Sequence, residues 1–278
     1  MKSIYPCIWT NQSAKEAAEF YVSIFPEASI QESNPWVTSW RAGNSKFMLL
    51  NGGPEFTPSP TLSFYSEFPE VGSVEKLWEK LVEDGKALMP LGTYPWSEKY
   101  GWVQDRYGVS WQLTAHPEAP PYGNYSPAMM FTGRNFGKAE EALNFYTSIV
   151  PDSLTKFISR YGEDSPSQTG KINHAQFTLG KQLFVAMDSG LDHGFQFSEG
   201  ISLVIPCENQ DEIDYYWEKL TLRGEEGQCG WLKDQFGVSW QIVPDSLGKL
   251  IASPIKGPTV IQAFLKMKKI NIEKLTSN

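Results

Sequence analysis

Residues 101–113 read GWVQDRYGVSWQL, and residues 230–242 read GWLKDQFGVSWQI. The stretches lie 129 residues apart and share Gly, Trp, Asp, Gly, Val, Ser, Trp and Gln at matching places. Working outward, FYVSIFP at 20–26 returns as FYTSIVP at 145–151, and LWEKL at 77–81 returns as YWEKL at 216–220. Three matches in the same order, with spacings that drift only through loops, mark the duplication of a whole unit. The period is far longer than the roughly 20–50 residues of a solenoid repeat, so each copy is expected to hold its own core.

Composition fits that reading. The 278 residues suit two domains, and 41% hydrophobic with 14% aromatic residues fill two ordinary cores. A net charge of −8 argues against a nucleic-acid partner, which needs a concentrated basic surface. It suits a neutral or cationic small molecule. Three cysteines (Cys7, Cys207, Cys229) are too few and scattered for a disulfide framework, and suggest a reducing cytoplasm. No apolar run is long enough for a membrane helix, and the start shows no signal-peptide core, so no membrane partner is expected.

Each copy follows one script. A short apolar strand (Tyr5 to Thr10; Ala128 to Thr132) leads into a helix. In the first copy Ser13 and Glu16 form a capping box, and Ala17, Phe20, Tyr21 and Ile24 make one apolar stripe. Ala142, Phe145, Tyr146 and Ile149 repeat it, and Pro26 and Pro151 stop both helices. Strands are expected at 37–42, 47–51 and 61–67, and again at 172–179, 183–188 and 201–207. A second helix carries Val74, Leu77, Trp78 and Leu81, matched by Ile213, Tyr216, Trp217 and Leu220. The repeated hairpin closes each copy, giving βαβββ twice per domain. The domains are expected at 1–117 and 128–245, joined by a proline-rich linker at 118–127. The tail, 246–278, is read as helical through AFLKMKKINIEKL.

Alternation along the strands nominates side chains for a cleft. Val109, Trp111 and Leu113 point to the helices, whereas Ser110 and Gln112 point away; Ser239 and Gln241 repeat this beside Val238, Trp240 and Ile242. Trp102 and Gln104 oppose Val103, and Trp231 and Lys233 oppose Leu232. His174 and Gln176 alternate with Ala175 and Phe177. Trp96 and Tyr100 lie in a stretch, 85–101, that shrinks to GEEGQCG in the second copy and is expected to lid a first-domain cleft. Tryptophans with amides and hydroxyls make a small-molecule site. His174 is the candidate acid or base. Asp105 and Asp234 are read as structural turn residues.

The FYxxxFP helix, the stretch from Met89-Pro90-Leu91 through Trp96 to Tyr100-Gly101-Trp102, the GW-x-x-D-x-[YF]-GVSWQ hairpin and the LKMKKI tail resemble PhnB-like proteins. These are often labelled 3-demethylubiquinone-9 3-methyltransferase-like. They belong to the vicinal oxygen chelate superfamily, with glyoxalase I, extradiol dioxygenases and drug-resistance proteins. The resemblance implies an α+β fold: tandem glyoxalase-like domains, each of two βαβββ modules forming a half-open, curled mixed sheet with flanking helices. It also implies that single-copy relatives pair, so the tandem chain is an internal pseudo-dimer, monomeric or homodimeric.

In metal-dependent members of the superfamily, His and Glu on the first, fourth, fifth and eighth strands converge on a divalent ion. The eighth-strand position falls on Gln112 and Gln241 here, and the first and fifth strands carry no histidine. An amide is a poorer ligand than a carboxylate, so no cofactor or catalytic metal is expected. The methyltransferase label finds no support, since no glycine-rich GxGxxG turn occurs. The expected function is metal-independent binding of a small aromatic or cationic molecule in a Trp-lined cleft. The alternative is an enzyme of the superfamily acting on a small organic substrate through His174.

Overall fold

The computed structural model describes residues 3–276. In the first half, β1 (Tyr5–Thr10), α1 (Ala14–Ile24), β2 (Ala28–Ser33), β3 (Val37–Ala42) and β4 (Ser45–Asn51) form one module. The next contains β5 (Leu62–Phe68), α2 (Val71–Val82), β6 (Lys86–Tyr94), β7 (Ser97–Gln104) and β8 (Ser110–Ala115). The second half supplies β9 (Asn124–Phe131), α3 (Ala139–Ile149), β10 (Leu154–Arg160), β11 (Ile172–Leu179) and β12 (Gln182–Asp188). Its second module holds β13 (Ile201–Cys207), α4 (Gln210–Thr221), β14 (Glu225–Glu226), β15 (Trp231–Lys233) and β16 (Ser239–Pro244). The tail adds α5 (Leu247–Ile251), α6 (Gly257–Phe264) and α7 (Ile272–Thr276).

The sixteen strands form two eight-stranded mixed sheets, and each sheet draws on both halves of the sequence. The first runs β14-β15-β16-β13-β1-β4-β3-β2, and the second runs β10-β11-β12-β9-β5-β8-β7-β6. The seams are antiparallel: Cys7 faces Ser202 in one, Ser63 faces Ala128 in the other. The repeat of sequence is therefore not the unit of sheet closure. The physical reason lies in the connection. β9 begins at Asn124, inside the stretch read as linker, and lies at once against β5. That commits the two middle modules to each other and leaves the outer two to pair. One contiguous buried cluster joins the helix-bearing faces of both sheets. Phe47 of β4 meets Phe64 of β5 with ring centres 5.2 Å apart.

The repeated motif has a structural purpose. Asp105 is buried and accepts four hydrogen bonds: from the Tyr21 hydroxyl and Trp111 Nε1 at 2.8 Å each, and from the backbone N–H groups of Tyr107 and Val109 at 2.9 and 3.0 Å. Asp234 repeats this with Tyr146 (2.6 Å), Trp240 (2.8 Å), Phe236 N (2.9 Å) and Val238 N (3.1 Å). The Tyr of the FYxxxFP-type helix and the Asp and Trp of the hairpin are thus one device, tying the first helix of a repeat to its last hairpin.

The helix starts differ from the expected capping box, because Ser13 makes no side-chain cap. A strand residue caps from outside: Asn51 Oδ1 accepts from Ala14 N at 2.9 Å, and Asp188 Oδ1 accepts from Gly137 N and Ala139 N at 2.8 and 3.1 Å. The tail also departs from expectation. Its helix stops at Phe264, and the chain then follows the short β14–β15 edge, where Met267 O and Lys268 O accept from Cys229 N and Gly230 N. Lys269 pairs with Asp214 at 2.7 Å. Elsewhere, the β12–β13 loop crosses the β4–β5 loop at Gly200. Gly200 O accepts from Trp9 N at 2.9 Å, and a Cβ on Gly200 would stand 1.9 Å from Thr57 O. No helix among the described residues is long and apolar enough to cross a membrane.

Candidate functional site

The helix-bearing face of each sheet is buried, so function has to use the other face. On the second sheet the other face carries Ser63, Tyr65 and Glu67 of β5, Ser110, Gln112 and Thr114 of β8, Tyr100, Trp102 and Gln104 of β7, and His174 and Gln176 of β11, most of them buried as well. Their strand neighbours Phe64, Trp111, Val103, Ala175 and Phe177 are fully buried in the main core, which fixes the alternation. Trp102 belongs to the first repeat and His174 to the second. The cross-paired topology puts them on one sheet.

A cavity of about 480 Å³ opens on this face. It is lined by Tyr65, Glu67 and Asn124 on the central strands, His174, Gln176, Leu183 and Phe157 on the strands beside them, and His116, Glu118 and Ala119 from the chain entering β9. Of the nominated residues, only His174 and Gln176 line it. Tyr65, Glu67, His116 and Phe157 were missed. Tyr65 and Glu67 were recoverable from period-two alternation with Ser63. Phe157 lies on the polar edge strand β10, and His116 lies at the very end of the first domain as read, beside the linker, so neither gave a signal.

The other candidates are placed as follows. Tyr100 and Trp102 pack with Met130 in an apolar patch of the same face that adjoins the cavity through Tyr65, and Phe195 covers Trp102 edge-on at 6.5 Å. Tyr100 donates to Gln112 Oε1 and Gln112 Nε2 donates to Ser63 Oγ, both at 2.8 Å. Gln104 turns back to Gly108 O at 2.9 Å. Ser110 Oγ and Trp102 Nε1 are buried without a partner among the described residues. Residues 86–104 form a β-hairpin at the edge of the sheet, and Trp96 sits near its tip, 61% exposed and stacked on Tyr94. Trp231, Lys233, Ser239 and Gln241 belong to the first sheet. There Trp231 meets Trp9 at 5.9 Å, Lys233 pairs with Glu199 at 2.7 Å, Ser239 donates to Ser198 O at 3.4 Å and Gln241 donates to Ser202 Oγ at 2.9 Å. The expected tryptophan wall is therefore not the wall of the cavity.

Where the fold family would hold a metal, the inner strands present Cys7, Met48, Ser202 and Gln241 on one sheet and Ala128, Val185, Ser63 and Gln112 on the other. Burial pushes the Cys7 thiol up to about 12, and the rest are amides, hydroxyls, a thioether and alkyl groups. That donor set does not fit a divalent ion. Among the described residues no group of three or more His, Cys, Asp or Glu is placed to hold one.

His174 lies between two rings, with centres 5.1 Å from Tyr65 and 6.4 Å from Phe157. Burial lowers its pKa to about 4, so the imidazole is neutral at pH 7. The stability consequence has a definite sign. Between about pH 6.5 and 4 the unfolded chain binds a proton here that the folded chain refuses, so stability falls as pH falls through that window, by about 3 kcal/mol at most. Glu67 opposes it in part, because burial raises its carboxyl. Urea unfolding of the wild type and of His174→Gln at pH 7 and pH 4.5 checks this. The variant should lose less stability on acidification than the wild type.

The two mixed sheets of repeated βαβββ modules define a tandem glyoxalase-like fold. Glyoxalase I from Zea mays has the same fold, with a TM-score of 0.56 at 12% identity over 88% of this chain and 93% of that one. The family model described as 3-demethylubiquinone-9 3-methyltransferase matches residues 2–114 and again 124–243, and the chain belongs to that family. A PhnB protein from Bacillus cereus is 33% identical, with 41% of this chain covering all of that one at a TM-score of 0.38. PA1353 from Pseudomonas aeruginosa is 21% identical over 40% of this chain and 94% of that one, with a TM-score of 0.35. Among curated proteins none matches significantly.

Proposed function

We propose that this protein binds a small aromatic or cationic molecule, without a metal, in the cavity of the second sheet. The observation that carries the reading is the composition of that wall: rings from Tyr65, Phe157 and His174 beside the polar ends of Glu67, Gln176 and Asn124. The wall is more polar than apolar, with rings set beside placed polar groups, and the volume of about 480 Å³ suits a compact polar or charged ligand. Acid–base catalysis by His174 is the second reading, favoured by its place in the wall. A base with a pKa near 4 is poorly matched to neutral pH, however, and serves better as a neutral hydrogen-bonding group.

The reading fixes a stoichiometry of one. The matching positions on the first sheet are Val37 for His174, Val204 for Tyr65 and Pro206 for Glu67, by the common register to Gln112 and Gln241. Leu247 of the tail packs against Val204 there. A screen of aromatic and amine fragments by ligand-observed NMR, followed by calorimetry, should give binders at one site per chain. Tyr65→Ala should abolish binding and Trp231→Ala should leave it intact. Two equivalent sites, or an empty screen, would sink the reading. Native mass spectrometry with elemental analysis on protein purified without chelator tests the metal-independent part: a stoichiometric divalent ion would refute it.

A further inference from the structure

Resting on the binding reading above, and narrowing it, we infer that the cavity selects an organic cation: a small ammonium with an apolar body, countered by Glu67 and caged by Tyr65, Phe157 and His174. Two carboxylates, Glu67 and Glu118, line the cavity, and no lysine or arginine does. Glu67 is only 8% exposed. A carboxylate so far removed from water requires compensation, since an unpaired buried charge is strongly unfavourable. Asn124 bonds it, and His116 is the one other lining group that can offset its charge. An ionised Glu67 is therefore incompletely compensated on the side that faces the cavity.

The rest of the wall has matching chemistry. The three rings adjoin in a row, His174 being flanked by Tyr65 and Phe157. Ring faces attract a cation, and here Tyr65 and His174 are half-buried while Phe157, 53% exposed, stands at the rim of the cavity. His174 adds no positive charge of its own at neutral pH, because burial holds it neutral. An anionic ligand would meet two carboxylates. A neutral ligand would cover Glu67 without compensating it. A cation answers both the charge and the rings.

Binding also has a pH signature. The titratable groups facing the ligand are Glu67, Glu118, His116, His174 and Tyr65. Burial raises the Glu67 carboxyl, so a bound cation must displace its proton or find it ionised. Affinity for the cation therefore rises with pH as Glu67 sheds its proton, whereas affinity for a neutral analogue does not.

The test is isothermal calorimetry with phenethylamine, a cation at neutral pH, and with phenethyl alcohol, its neutral counterpart. The amine is expected to bind at least about tenfold tighter. Glu67→Gln should erase that difference. Equal affinity of the two probes for the wild type overturns the cation inference and leaves the broader binding reading standing. No binding of either, with an empty fragment screen, removes both. Full retention of amine binding in Glu67→Gln and Glu118→Gln also overturns the inference, because it leaves the carboxylates no role. Should Glu67→Gln fail to fold, Glu118→Gln and the wild-type pH dependence carry the test, and an amine affinity that stays flat as pH rises from 4.5 counts against it.

Discussion

Replacing Asp234 by alanine is expected to cost about 4 kcal/mol and to lower Tm by roughly 10 °C. The carboxylate is buried and accepts from Tyr146, Trp240 and two backbone N–H groups. Truncation leaves four buried donors facing a gap, and each unsatisfied donor costs about 1–3 kcal/mol before relaxation or an entering water relieves it. Asp105→Ala should behave alike, since its partners are the same residue types at nearly the same distances. Thermal unfolding by circular dichroism decides the matter. A loss below about 1 kcal/mol in both variants would mean that water substitutes fully for the carboxylate.

Burial raises both carboxyls, Asp105 to about 6. With a raised folded pKa, the contribution of Asp105 is fully present below its unfolded value of 3.8 and is lost as pH rises through about 6. Its trend is thus opposite to that of His174. The wild-type acid profile should be shallower than either group alone would give, and Asp105→Asn should steepen it.

Replacing Gly200 by alanine is expected to cost about 3 kcal/mol or more. The new methyl group would lie 1.9 Å from Thr57 O and 2.4 Å from Pro58 N. Both are backbone atoms, so no rotamer change makes room. Either loop must shift, and the Trp9 N to Gly200 O bond and the Ser198 Oγ to Thr57 O bond (3.1 Å) are at risk. Gly72→Ala is the control: it lies in α2 with open space around it, and should be neutral or mildly stabilising. Denaturant midpoints of the two variants make the comparison, and similar midpoints would contradict the crossing described at Gly200.

The elements with strong periodicity were legible. The helices ending at Ile24 and Ile149 stop before Pro26 and Pro151 as read, and the hairpin faces alternate as the pattern requires. Strands β2 and β10 were not read. ASIQES is exposed along nearly its whole length, and LTKFISR is largely exposed, so neither carries an apolar period. The pairing of modules was illegible for another reason. Each repeat offers the same motifs, and nothing in a side-chain pattern says whether β5 pairs with β1 or with β9; the short approach to Asn124 decides it. The site suffered in turn. Tryptophan is conspicuous in a sequence, but Trp111 and Trp240 bond the buried aspartates, Trp102 lies under Phe195 and Trp96 faces solvent. The cavity wall is assembled from Tyr, His, Glu and Phe brought together across the two halves.

The cross-pairing also orders events in time. β1 pairs with β4 on one edge, but its other edge finds a partner only when β13 exists, with Cys7 opposite Ser202. At about 5–20 residues per second, a ribosome needs roughly 10–40 s to make the intervening chain. During that interval the inner edge of β1 has no partner from its own molecule, and a neighbouring nascent chain can offer the same edge. The sheet that holds the cavity is complete in sequence by Asp188, whereas the other waits for Pro244. Synthesis therefore finishes the cavity-bearing sheet first, and the module from β13 to β16 retires an edge left open since β1 was made.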